Sequence, residues 1–174
     1  MKFSGGLVPI LRPDKYSIIN QKLKEIGVKI VVKLHPMQDL DGYNLTDLDH
    51  FILMSHAEFI KRKMDLYLFM VQCDALITDY SSIFFDFLLL DRPIGFTEDD
   101  MEDYGSTRGF AVEDPDSYKP GFRIKTKDDL IKFATDLVND IDIFKADRLR
   151  VMDLSNDYRD GGFSKRLLDS VGIK

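Results

Sequence analysis

Short apolar runs alternate along the chain with longer stretches whose apolar residues recur at helical spacing. Lys29-Ile-Val-Val-Lys-Leu34, Phe51-Ile-Leu-Met54, Ala75-Leu-Ile77 and Ile94-Gly-Phe96 have the brevity and the β-branched or bulky apolar content of buried strands. His35-Pro36 closes the first of them, since proline cannot continue a strand ladder. A helix is predicted from a cap at Asp14 to Ile26, with Ile18, Ile19, Leu23 and Ile26 on its inner face and Gly27 at its end. A second runs from Asp65 to Cys73 and buries Leu66, Phe69 and Met70. Thr126 and Asp129 have the spacing of a capping box, with Asp in place of the usual Glu or Gln. The helix behind them reaches Asn139 and buries Leu130, Ile131, Ala134, Leu137 and Val138. Ile141 to Met152 and Ser164 to Val171 read as two closing helices, separated by the break at Asp160-Gly-Gly162.

Polar connections join these elements. They are Gln38 to Asp49, the turn Asp91-Arg-Pro93, an acidic single turn from Asp99 to Tyr104, an extended piece from Arg108 to Val112, and a loop from Asp114 to Gly121. Strands alternating with helices over short connections imply an α/β fold: a parallel sheet with helices on both faces and right-handed crossovers. The expected organisation is a single domain over residues 1–174, with a Gly/Pro-rich opening at 1–13 that reads as a linker remnant or a strand lead-in, and helices over 141–174.

Composition narrows the function classes. The chain of 174 residues is 44% apolar and 31% charged, ordinary for a globular domain with a full core. No apolar stretch approaches the ~20 residues needed to span a bilayer, and no basic-then-apolar leader opens the sequence. The single cysteine, Cys73, has no internal disulfide partner and reads as a buried inert thiol, which favours a reducing cytoplasm. No Cys/His spacing suits a metal, and His50 and His56, which flank the second strand, read equally as surface residues. A formal charge of −6 argues against a general nucleic-acid binder but not against a small phosphorylated ligand.

The chemistry concentrates in Asp74-Ala-Leu-Ile-Thr-Asp-Tyr-Ser-Ser-Ile-Phe-Phe-Asp86. A strand ends at Ile77, Thr78, Asp79 and Tyr80 form a polar turn, and Ser81 and Ser82 open the apolar run Ile83 to Leu90. The reading is a serine-capped helix whose amino end suits a phosphate, at the strand edge where open parallel sheets bind ligands. The alternative is an ordinary helix cap that binds nothing. Asp86 lies four residues after Ser82, one turn along the same helix face, within reach of a sugar hydroxyl. His35, at the carboxyl end of its own strand, is a candidate hydrogen-bond donor to a phosphate oxygen or a general acid, against a plain turn histidine beside Pro36. Lys33 is a candidate phosphate partner or a solvated strand end. Arg108 beside Gly109 is either a bidentate phosphate clamp or the partner of the acidic run from Glu98 to Asp103. Phe84, Phe85 and Phe87 read as core.

Lys33-Leu-His-Pro36, the block Asp74 to Asp86, Asp91-Arg-Pro93, Tyr104 and Arg108-Gly-Phe110 together resemble the CDP-glycerol glycerophosphotransferases, the primases and polymerases of wall teichoic acid. The resemblance spans Leu23 to Val138 and is most specific from Ile77 to Asp86. It implies a Rossmann-like domain equivalent to the C-terminal half of a GT-B glycosyltransferase, the half that holds the nucleotide donor. It implies that His35 and the Ser81 and Ser82 hydroxyls contact the donor pyrophosphate and that Asp86 contacts ribose or glycerol hydroxyls. Thr78, Asp79 and Arg108 would complete the site, as would Lys33, where the family often has arginine. The implied reaction is attack of an acceptor hydroxyl on the β-phosphate of CDP-glycerol, with CMP released and with no cofactor or divalent metal. The partners so implied are a CDP-activated polyol donor and a lipid-linked polymer acceptor, the latter held by an amino-terminal half that this chain lacks. The implied place is the cytoplasm, peripheral at the inner face of the cell membrane. Two alternatives stand beside this reading: a half-domain of a nucleotide-sugar glycosyltransferase for capsule or polysaccharide synthesis, and a non-catalytic module of the same fold.

Overall fold

The computed structural model describes residues 13–34, 47–79, 81–97 and 114–173. Five strands form there, every pairing parallel. β1 (Ile30–Lys33) pairs with β2 (Phe51–Met54), Ile30 opposite Phe51 and Lys33 opposite Met54. A separate ladder has the order β3 (Leu76–Thr78), β4 (Ile94–Thr97), β5 (Phe122–Ile124). The α/β architecture expected from the alternating pattern is therefore the one that forms, with its hydrogen bonds divided between two ladders. β5 escapes a sequence reading because it is short and follows directly on the turn residues Pro120 and Gly121.

Seven α-helices connect the strands among the described residues: α1 (Tyr16–Ile26), α2 (His56–Lys61), α3 (Leu66–Met70), α4 (Ile83–Leu88), α5 (Lys127–Val138), α6 (Lys145–Ser155) and α7 (Phe163–Ser170). Their ends follow local chemistry. Gly27 adopts a left-handed φ of 74° and closes α1. Asp65 accepts the Leu68 N–H at the start of α3, and Thr126 and Asp129 form the full capping box of α5. Asp14 does not cap α1. It lies in the 3-10 turn Pro13–Lys15, where it pairs with the Lys15 ammonium at 3.0 Å, and the cap position falls to Lys15, which makes no side-chain capping bond. α2 was not anticipated; Ser55 starts it by accepting the Glu58 N–H at 3.1 Å.

Two hydrophobic layers hold the β3–β5 ladder, one on each face. Ile77, Phe122 and Ile124 join Tyr16, Ile19 and Leu23 of α1, Leu130, Phe133 and Ala134 of α5, and residues of β1 and β2. Leu76, Ile94 and Phe96 join Met70 of α3, Phe84, Phe87 and Leu88 of α4, and Val151 and Met152 of α6. Leu76 and Ile77 are adjacent in β3 yet belong to opposite layers, as period-two alternation requires. Helical phase corrects two expected core positions. Ile18 is 51% and Val138 56% exposed, while Tyr16 and Phe133 take the inward positions instead.

Two polar anchors lock helices to this frame. Buried Asn20 of α1 accepts the backbone N–H groups of His50 (2.7 Å) and Phe51 (2.9 Å) and donates to the Asp47 carbonyl and the Asp49 carboxylate, both at 3.1 Å. Arg148 of α6, 1% exposed, forms a fork with Asp142 at 2.8 and 2.6 Å and reaches the Asp91 carboxylate at 3.2 Å. Asp91 has a left-handed φ of 47°, which a non-glycine residue keeps only when its surroundings hold it. Its neighbour Arg92 donates to the Val71 and Cys73 carbonyls at 2.9 and 2.6 Å, tying the end of α3 to the lead-in of β4.

Replacing Asp142 with alanine leaves the buried Arg148 guanidinium short of its main partner, a change expected to cost about 3–5 kcal/mol, read as a lowered urea midpoint. Hydrogen bonding from Arg148 also holds the Asp142 carboxyl below its ordinary value of 3.8. Its stabilisation is therefore complete above about pH 4 and is lost as the pH falls through the lower folded-state value. Acid titration of the Asp142→Ala variant will lack that component.

Candidate functional site

β3 delivers its chain to the carboxyl edge of a parallel ladder, where the backbone must leave the sheet and side chains can meet a ligand. Thr78 is the last strand residue, half-buried, and its carbonyl accepts the Thr97 hydroxyl of β4 at 3.4 Å. The next residue shapes the turn: Asp79 accepts the Ser81 backbone N–H at 3.0 Å, a local bond that substitutes for a strand partner. α4 then begins at Ile83.

The serines do not act as the sequence suggested. Ser82 occupies the cap position in helical backbone geometry, φ −63° and ψ −7°, and its hydroxyl makes no capping bond. The Ser81 hydroxyl accepts the Ile83 N–H only at 3.5 Å, the outer limit of a hydrogen bond. The physical reason is that a hydroxyl caps from extended backbone, and Ser82 has already turned helical. Both serines are exposed, so their hydroxyls lie in solvent at the end of β3 with little internal commitment.

Asp86 lies on the first turn of α4, also exposed. Its carboxylate accepts the Tyr67 hydroxyl of α3 at 3.3 Å. The charge of Asp86, together with that hydrogen bond, pushes the Tyr67 phenol above its ordinary range, so the phenol remains a neutral donor. Tyr67 is the residue that sequence reasoning missed. It sits 19 positions before Asp86, in a run that reads only as one face of a helix, and only the packing of α3 beside α4 joins them.

Lys33 ends β1, and its ammonium lies 5.5 Å from the centre of the Phe59 ring. Among the described residues no hydrogen bond or ion pair joins it to Asp79, Ser81 or Ser82. His35 and Arg108, and with them Tyr80, Tyr104 and the acidic run, lie outside the described residues. His50 precedes β2, its Nδ1 3.1 Å from an Asp49 carboxylate oxygen, and so stands at the amino end of that strand. His56 opens α2 at the other end, its Nδ1 buried without a hydrogen-bond partner. Cys73 is half-buried, and burial raises its thiol pKa. Among the described residues no group of three or more His, Cys, Asp or Glu could hold a metal ion, and no helix is long and apolar enough to cross a membrane.

Residues 10–172 match the model of the CDP-Glycerol:Poly(glycerophosphate) glycerophosphotransferase family. The chain belongs to this family. A teichoic acid ribitol-phosphate primase of Bacillus spizizenii is 33% identical over 146 residues, a match covering 82% of this chain and 34% of the relative. A teichoic acid glycerol-phosphate primase of Bacillus subtilis is 33% identical over 154 residues, covering 86% of this chain and 36% of the relative. This glycerophosphotransferase-family chain thus spans about a third of the length of the curated relatives it matches. The solved structure of the wall teichoic acid polymerase TagF superposes with a TM-score of 0.54 at 22% identity, over 92% of this chain and 47% of that one. At that identity the likeness concerns the fold.

Because neither serine hydroxyl supports the helix start, Ser81→Ala and Ser82→Ala should each change the unfolding free energy by less than about 0.5 kcal/mol. A true capping serine would cost about 1 kcal/mol. Urea titration of the two variants separates the cases.

Proposed function

We propose that this chain is the donor-binding, carboxyl-terminal part of a transferase that moves glycerol phosphate from CDP-glycerol to a hydroxyl of a growing polymer, in the synthesis of teichoic acid or a related surface polymer. The observation that carries this reading is the turn at the end of β3. Two exposed serine hydroxyls stand there, Ser82's without a capping bond and Ser81's holding the Ile83 N–H only at 3.5 Å, and an exposed carboxylate follows one helical turn on. Membership of the glycerophosphotransferase family supplies the class of chemistry.

Ser81 and Ser82 donate their hydroxyls to the donor pyrophosphate, neutral donors that cost no desolvated charge. His35 contributes a further donor to the same phosphates, or protonates the departing group. Lys33 and Arg108 contribute positive charge, and Thr78 and Asp79 hold the turn in place. The acceptor oxygen attacks the β-phosphorus, the bond from that phosphorus to the bridging oxygen breaks, and CMP leaves with the electron pair. The acceptor proton passes to a base on the acceptor side. Binding geometry and charge stabilisation carry such a phosphoryl transfer, because no covalent help from the protein is required. Full turnover then needs an acceptor-binding part in addition to this chain, working at the inner face of the membrane where a lipid-linked acceptor would be met. Primases named for glycerol phosphate and for ribitol phosphate are equally similar to this chain, so the polyol is open between those two.

Thermal unfolding with and without nucleotides tests the reading. CDP-glycerol at about a hundred times its Kd stabilises by about 2.7 kcal/mol, a rise in Tm of about 5–10 °C. CDP-ribitol, UDP-glucose and GDP-mannose at equal concentration report donor choice. The Ser81→Ala/Ser82→Ala double variant should lose the shift while keeping its own Tm. A folded wild-type protein with no shift from any CDP compound overturns the proposal.

A further inference from the structure

The Tyr67–Asp86 pair differs in chemistry from the serine turn beside it. Ser81 and Ser82 offer hydroxyl donors, which suit phosphate oxygens. Asp86 offers a carboxylate, which repels phosphate and accepts only from donors. The Tyr67 hydroxyl spends its one proton on Asp86. What remains exposed is therefore a pair of neighbouring acceptors: the second carboxylate oxygen of Asp86 and the lone pairs of the Tyr67 phenol. Both residues are solvent-exposed on separate helices, α3 and α4, and neither is needed to fill the core. An array of two adjacent acceptors matches two adjacent hydroxyl donors.

The family resemblance already gives Asp86 to a donor hydroxyl; we propose that Tyr67 extends that contact into recognition of a vicinal diol, one hydroxyl donating to the Asp86 carboxylate and its neighbour to the Tyr67 phenol oxygen. This inference rests on the donor-site reading given above. Tyr67 has a second effect: its hydrogen bond fixes the Asp86 carboxylate in one orientation and spares the ligand the entropy of ordering it. The diol belongs either to the ribose or to the polyol, since both carry adjacent hydroxyls.

Titration calorimetry of the wild type and of Tyr67→Phe with CDP-glycerol, CDP and 2′-deoxy-CDP tests the assignment. Tyr67→Phe keeps the ring and removes only the exposed oxygen, so its Tm should equal that of the wild type. The variant should bind CDP-glycerol about five- to tenfold more weakly, the loss of one hydrogen bond to the neutral phenol oxygen. If its affinity for CDP is unchanged, the diol read is the polyol's. If CDP weakens equally while 2′-deoxy-CDP does not, it is the ribose's. Equal affinity of variant and wild type for all three overturns the role of Tyr67 and leaves the donor site standing. Uniform weakening that includes 2′-deoxy-CDP overturns diol recognition. A folded wild type that binds none of the three removes the donor reading, and this inference with it.

Discussion

Strand β4 is covered on both faces, and the elements around the candidate site take their places from that burial. Ile94 and Phe96 enter one hydrophobic layer, each contributing about 1.5–3 kcal/mol by leaving water. Gly95 turns to the other layer, where a Cβ would lie 2.6 Å from Ile124 Cδ1 and 3.4 Å from Phe133 Cε1. Gly121, just ahead of β5, is tighter still: a Cβ there would stand 2.1 Å from the Ile94 carbonyl oxygen. Backbone cannot retreat as the end of the Ile124 side chain can, so the approach of β5 to β4 depends above all on the missing side chain at Gly121. With β4 fixed, β3 can pair only along its free edge, and the Asp79–Ser82 turn is carried to the sheet's carboxyl rim.

Much of this architecture was legible. Lys29 to Leu34 and Phe51 to Met54 gave strands nearly to the residue, because a β-branched or uniformly apolar run bounded by polar positions has few other uses. The capping box at Thr126 located α5 for the same reason: two side chains three apart satisfy each other's backbone only at a helix start. What was not legible depends on partners distant in sequence. Ile18 and Tyr16 are both plausible inward residues of α1, and only packing against Phe51 and α5 selects Tyr16. Arg148 reads as a surface charge in an exposed helix, yet it is buried because Asp142 and Asp91 come to meet it.

The candidate site divides in the same way. Its location followed from a strand, a polar turn and an apolar run in that order. The role assigned to the serines did not, because Asp79 organises the turn and leaves the hydroxyls uncommitted. Tyr67 was invisible, since a tyrosine on a short amphipathic helix carries no mark of the carboxylate it will meet.

The alternation of β3 has a mechanical consequence. Leu76 anchors in one layer and Ile77 in the other, and Thr78 leads directly into the turn. A tug on Thr78 is therefore shared between both halves of the interior. Whatever occupies the rim would stiffen amides on the two sides of the sheet alike, slowing their exchange with solvent deuterium far from the point of contact.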